Sequence, residues 1–312
     1  MTQKIRWVLA HEPIELFLRA AKVFASEVNA KAEGALDIEV MTMNEYSAKY
    51  NNGVVVTKHE LVDMINRGDI EMSQTYTVDI GEYDHEFRAL DMPFLFESHD
   101  HATKVFEGPI GQSLLDGLTE SAGVKGLAFT YSGGYRIIPG QEGIDTIEDI
   151  RDLKLRTSFS PVAIETFKAV GANVVPMELE EMTDAIQDAD IQVGESTYPR
   201  IYALGQDRVS KVINHTEHSL FLTSILINQD FFATLGEELQ GIVVDAAKTA
   251  ANYERVISIE DVALTQAKAE SDGIEVRRMS TEEKARFKAA TAHVYDMFPE
   301  LAGTVKKIQD TK

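Results

Sequence analysis

The spacing of apolar residues switches repeatedly between period two and helical period, and this alternation restricts the fold more than any other feature of the chain. Lys4 to Ala10 has the length and character of a buried strand. From Glu15 to Asn29 the apolar positions Leu16, Phe17, Ala20, Ala21 and Phe24 fall at helical spacing, with Pro13 near the start. Leu36 to Met43 reads as a strand, Lys58 to Asn66 as a helix, and Ile70 to Thr75 as a short strand. Strand, helix, strand, helix, strand is the order that builds a parallel sheet covered by helices, so the fold class is α/β.

The second half repeats this order. Val124 to Ile138 is strand-rich, interrupted by Ser132-Gly133-Gly134, where the glycine pair predicts a hinge. Asp149 to Arg156 leads into a helix at Pro161 to Val170, a strand at Asn173 to Pro176, a helix at Glu180 to Asp188 and a strand at Ile191 to Glu195. Ser219 to Asn228 is apolar and β-branched enough for a long strand, and Gly236 to Ser271 is one helical pattern longer than a single lobe needs. Ser280 and Glu283 predict a capping box at the start of the last helix. With 312 residues, two lobes are a better expectation than one. The expected division is 1–133 plus 222–261 for one lobe and 134–221 plus 262–312 for the other. Each is expected to be a mixed sheet flanked by helices, with a ligand cleft between the lobes and the long helix spanning both.

Composition narrows the functions. There are 51 acidic and 30 basic residues, a formal net charge of −21 with no basic run, so phosphate backbones and anionic lipid surfaces are repelled and no nucleic-acid partner is expected. The chain has no cysteine, which excludes disulfides, thiolate metal sites and thiol catalysis. Trp7-Val8-Leu9-Ala10 is too short an apolar run for a secretory signal or a membrane span, so an exported form is expected to have had its signal peptide removed, and no membrane insertion is expected.

The common catalytic and nucleotide signatures, G-x-S-x-G, H-E-x-x-H, G-x-x-x-x-G-K and G-x-G-x-x-G after a strand, do not occur. His99-Asp100-His101 beside Ser98 reads as a helix start rather than a metal site, and neither metal nor cofactor is expected. The informative segment is Glu148 to Arg156, in which Leu153 and Leu155 alternate with polar residues and Arg156 falls at the end of the strand, where open α/β sheets bind ligands. A guanidinium there grips a carboxylate through two parallel hydrogen bonds.

That segment, followed by Ser160-Pro161, Gly171-Ala172 and Pro176-Met177 and then the strand ending in Glu195, resembles the solute-binding proteins of tripartite ATP-independent periplasmic (TRAP) transporters, of the C4-dicarboxylate-binding (DctP) type. The β-α opening and Met92-Pro93-Phe94 within Leu90 to Phe96 extend the resemblance over nearly the whole chain. It implies a two-lobed periplasmic-binding-protein fold, a periplasmic location, and a small organic anion, a carboxylate or sulfonate, bound by hinge closure. Delivery to a small and a large membrane subunit is implied with it. The signature arginine falls on Arg156, and Arg136 occupies the place where sialic-acid-type members keep a second arginine, which would let two cations clamp one solute. Three departures keep the solute's identity open. Ser196 replaces the usual ligand-facing Asn, Asp152 stands where Gly is usual, and about nine residues are added around Tyr46 to Lys58.

Other wall residues expected from strand ends are Ala10, His11, Glu12, Gln74, Tyr76, Phe159 and Tyr198, the last two being equally at home in a core at helix entries. Glu195 would repel an anion and is expected to orient Arg156 or another donor. Two further readings use the same residues: an enzyme on a small acid with Glu195 as general base, and a sensory binding protein.

Overall fold

The computed structural model describes residues 2–11 and 15–312; Glu12 and Pro13 lie outside them. Eleven strands occur among the described residues: β1 (Gln3–Leu9), β2 (Leu36–Thr42), β3 (Met72–Tyr76), β4 (Val124–Tyr135), β5 (Ile138–Gly140), β6 (Lys154–Thr157), β7 (Asn173–Pro176), β8 (Val193–Gly194), β9 (Val212–His215), β10 (Leu220–Asn228) and β11 (Glu275–Arg278). They form a five-stranded sheet in the order β2-β1-β3-β10-β4 and a six-stranded sheet in the order β11-β9-β5-β8-β6-β7. Both sheets are mixed. β1 runs parallel to β2 and β3 while β10 is antiparallel to β3, and β5 is antiparallel to its two neighbours in an otherwise parallel second sheet.

The chain divides into two compact units, 1–87 with 103–131 and 222–257, and 88–102 with 132–221 and 258–312. Two of the divisions between the units fall at 131/132 and 221/222. The segment 88–102, expected with the first lobe, belongs to the second unit. The reason is tertiary: the Phe94 amide donates to the carbonyl of His218 (2.7 Å) and its ring meets Phe287 edge-on at 5.2 Å. The helix Glu237–Ser271 contributes residues to both units.

In the first unit, Ile5 and Trp7 alternate into the core from β1, and Trp7 packs on Phe24 of the helix Glu15–Lys31 at 5.1 Å between rings. That helix buries Leu16, Phe17, Ala20, Ala21, Phe24 and Val28, the stripe its spacing predicts. In the second unit, Ile138, Leu155, Val193, Phe167 and Phe287 form one apolar cluster, and Ile137, Tyr198, Ile201, Ile213 and Ile274 form another. Adjacent isoleucines 137 and 138 serve different clusters because successive side chains of extended backbone point to opposite faces.

Two local expectations, a break in the strand and a full capping box, are corrected, and one departure from the family pattern is explained. β4 passes through Ser132-Gly133-Gly134 without a break. Gly133 has φ +96°, and a Cβ there would lie 2.4 Å from Thr197 Oγ1, so close packing requires the glycine. The capping box at Ser280 is half formed: Ser280 Oγ accepts from the Glu283 amide (3.1 Å), but the Glu283 carboxylate accepts from the Ile147 amide (3.1 Å) and Arg286 (2.7 Å) instead of closing the box. Asp152 has φ +64°, so the family's glycine position is a left-handed turn that an aspartate tolerates. His99 does begin a helix, with Ser98 Oγ accepting from the His101 amide at 3.0 Å.

Candidate functional site

The second sheet gathers the charged residues at one edge. Strands β6 and β8 run parallel with Arg156 opposite Gly194, and β5 runs antiparallel to β8 with Ile137 bridged to Ser196. The carboxyl ends of β6 and β8 and the entry to β5 therefore share an edge, and the carboxyl end of β9 joins them through the pairing of Ile138 with Asn214. This places Arg156 and Thr157, Glu195 and Ser196, Arg136, and the residues leading to His218 along one edge, the side of an open α/β sheet where ligands bind.

Arg156 is 4% exposed. Its Nε and one terminal nitrogen donate to the carbonyl of Met177 (3.0 and 2.7 Å), and the other terminal nitrogen donates to the carbonyl of Glu195 (3.1 Å). A guanidinium has five N–H groups, so two remain. No carboxylate among the described residues pairs with it. Burial pulls the guanidinium down to about 10, against the opposing charge of Glu195, so it stays protonated at neutral pH.

Glu195 sits one strand away and is 1% exposed. Its carboxylate accepts from Thr157 Oγ1 and from His218 Nε2 (2.8 Å), and lies 3.9 Å from Arg136 Nε. Burial alone would raise this carboxyl, but Arg136 first, then His218 and Thr157, override it and hold it at about 2. The side chain thus orients Arg136 and His218, and only its backbone carbonyl touches Arg156. His218 Nδ1 is bonded to Thr216 Oγ1 at 2.8 Å, so both ring nitrogens are engaged. Arg136 is 2% exposed, lies over the Phe221 ring at 3.9 Å, and its side chain donates no hydrogen bond to a described residue.

Three contributors were not expected from sequence. Asp91 is 8% exposed, accepts from Ser160 Oγ (2.7 Å), and is raised by burial against the pull of Arg136. His218 and Thr157 are the others. Asp91 lies inside the Leu90 to Phe96 segment, but one acid before Met92-Pro93 carries no local sign that it will be buried.

The remaining expected residues separate. Ser196 is fully buried and its Oγ has no partner among the described residues. Tyr198 lies in the apolar cluster with Ile201 and Ile213, its hydroxyl bonded to His215 Nδ1 at 2.8 Å, and Phe159 is 54% exposed. In the first unit, Ala10, His11 and Tyr76 are buried at the ends of β1 and β3, the rings of His11 and Tyr76 6.4 Å apart. Gln74, also buried, donates to Thr130 Oγ1 (2.9 Å) and Thr223 Oγ1 (3.0 Å), leaving its Oε1 without a partner.

Two mixed α/β sheets and a buried, uncompensated guanidinium at a strand end define the class of a solute-binding protein. Residues 10–301 match the family described as bacterial extracellular solute-binding protein, family 7 (DctP), and the chain belongs to that family, the substrate-binding proteins of TRAP transporters, which act outside the cytoplasm. It is similar to the 2,3-diketo-L-gulonate-binding periplasmic protein of Escherichia coli (strain K12), 26% identical over 94% of this chain and 87% of that one. Similarity extends to the C4-dicarboxylate-binding protein of Bacillus subtilis (strain 168), 24% identical over 91% of this chain and 79% of that one. Among solved structures, a TRAP periplasmic solute-binding protein from Ochrobactrum anthropi superposes with a TM-score of 0.87 at 26% identity, covering 100% of this chain and 97% of that one. Among the described residues no helix is long and apolar enough to cross a membrane, and no cluster of three or more His, Asp or Glu could hold a metal.

Proposed function

We propose that this protein captures a small sugar-derived or similar organic acid, with the carboxylate on Arg156, and presents it to the small and large membrane subunits of a TRAP transporter without chemical turnover. The observation that carries the reading is Arg156 itself: a guanidinium 4% exposed, held by two carbonyls, with two N–H groups left and no carboxylate partner among the described residues. Burying an ion without its counter-charge costs several kcal/mol, which a solute carboxylate offsets through a bidentate pair. Family membership supports transport, and the diketogulonate-binding relative supports a sugar-derived acid. Ser196, whose buried hydroxyl lacks a partner, stands ready for a neutral oxygen of the solute. Thr157 and His218 both bond the Glu195 carboxylate, which argues for a positioning role over general-base work.

The test is a thermal-shift screen of small acids followed by calorimetry on Arg156→Ala. A solute at 100 times its Kd raises stability by about 2.7 kcal/mol. The variant is expected to bind it roughly 2–5 kcal/mol more weakly. Wild-type affinity in the variant removes Arg156 from the site, and conversion of a bound acid, followed by NMR, removes the claim of binding without turnover.

A further inference from the structure

We propose that the site prefers a monocarboxylate carrying neutral hydroxyl or keto oxygens over the dicarboxylate of the same carbon skeleton, because Glu195 already neutralises its second arginine from within the protein. The proposal rests on the reading of Arg156 as the carboxylate anchor.

Two arginines at one sheet edge suggest a clamp for two acid groups, but their surroundings differ. Arg156 donates hydrogen bonds only to carbonyls, those of Met177 and Glu195, and feels the carboxylates of Glu195, Glu178 and Glu180 without bonding them. Arg136 lies 3.9 Å from the Glu195 carboxylate, with 3 and 1% of the two side chains exposed. Glu195 cannot readily swing away, since Thr157 and His218 hold its oxygens. Among the described residues the other basic groups at that end are already bonded: both ring nitrogens of His218 are engaged, and Arg200, stacked on the same Phe221 ring at 4.7 Å, donates to Ser132 and to Thr197 Oγ1 (2.9 Å). Asp91, coupled to both Arg136 and Glu195, adds a second buried acid rather than a cation.

With Arg136 and Glu195 paired, Arg156 is left with two open N–H groups and no carboxylate partner among the described residues, and one carboxylate completes it. A second carboxylate would be desolvated without a counter-ion. Arg136 still has polar work to do, because its guanidinium donates to no described residue. A buried guanidinium with open N–H groups and a cancelled charge suits neutral oxygen acceptors, and the unpartnered Ser196 hydroxyl suits them equally. The E. coli and B. subtilis relatives, which by name bind a sugar-derived keto acid and C4-dicarboxylates, show that the family admits both charge types, so the choice rests with this chain's own residues.

The experiment is calorimetry with matched pairs that differ by one terminal group: D-gluconate with D-glucarate, D-galactonate with D-galactarate, and butanoate with succinate. In at least one pair the wild-type protein is expected to bind the monocarboxylate at least about tenfold more tightly. Glu195→Gln, which frees Arg136, is expected to tighten the dicarboxylate of that pair about tenfold or more and so narrow or reverse the preference. If wild-type protein binds the dicarboxylates as well as or better than their partners while Arg156→Ala loses both, the selectivity is overturned and the anchor stands. Undiminished binding to Arg156→Ala, or no binding of any pair to wild type, overturns the anchor and the selectivity together. Should Glu195→Gln fail to melt cooperatively, the wild-type ratio decides.

Discussion

The sheets of both units bury polar groups, but of different kinds, and the charges that the first unit buries, Glu254 and Arg255, lie on the helix Glu237–Ser271. In the first, Gln74, Thr75, Thr130, Thr223 and Ser224 are all at most 1% exposed; Gln74 bonds two threonine hydroxyls, which bond each other, and the oxygens of Thr75 and Ser224 have no partner among the described residues. The second buries Arg136, Arg156, Glu195, His218 and Asp91. A neutral hydroxyl left unbonded costs on the order of 1–3 kcal/mol, whereas an unpaired buried ion costs several more. The first sheet can therefore leave hydroxyl oxygens unpartnered cheaply, while the second pairs Arg136 with Glu195, and Arg156, with no carboxylate partner among the described residues, marks where a solute ion is wanted.

The sharpest way to break this contrast is Glu195→Ala, which strips Arg136 and His218 of their shared partner. A loss of about 3–5 kcal/mol in urea unfolding is expected; a loss under about 1 would mean that the charged network is no more demanding than the neutral one.

Acid should separate the units next. Glu195 is held at about 2 against an ordinary 4.5. Its contribution, roughly 3 kcal/mol at about 1.36 per pKa unit, is complete above its unfolded value and is lost as pH falls from there through about 2. Asp91 acts in the opposite sense, because burial disfavours its charged form and protonation relieves that cost. Comparing urea unfolding of wild type and Glu195→Gln between about pH 5 and 2 isolates the glutamate, and the variant should show the shallower acid loss. Equal slopes would deny the depressed value.

In the first unit, Gln74→Met is expected to cost only about 1–2 kcal/mol, since Thr130 and Thr223 keep their mutual bond. A cost rivalling that of Glu195→Ala would erase the distinction between the units.

Smallest is Ser196→Ala. Its hydroxyl has no partner among the described residues to lose, so the free protein's unfolding should move by less than about 0.5 kcal/mol while solute affinity falls by about 0.5–1.5. Reversed sizes would assign Ser196 to the fold rather than to the solute.

Much of the architecture was legible in the residues themselves. Leu16 to Val28 buries the stripe its spacing announces, and the alternation of Leu153 and Leu155 placed Arg156 at the end of β6. Less legible was anything resting on residues far apart. Gly133-Gly134 looked like a break because glycine pairs usually are, yet the strand continues and Thr197 is what demands the missing Cβ. Tyr198 followed Ser196 closely enough to suggest a wall, but the helix Tyr198–Ala203 turns its ring into the core.

The sequence by itself determined the order of strands and helices, the family, and the presence of an arginine where a sheet meets its ligands, because hydrophobic period and strand termini are written within ten or so neighbouring residues. Only the tertiary structure decided which charges meet. Arg136 acquires Glu195 through the bridge of Ile137 with Ser196, and Asp91 joins them because segment 88–102 packs with the second unit. Such pairings depend on strand order and long-range register, which no local pattern encodes, and they leave Arg156 with no carboxylate partner among the described residues.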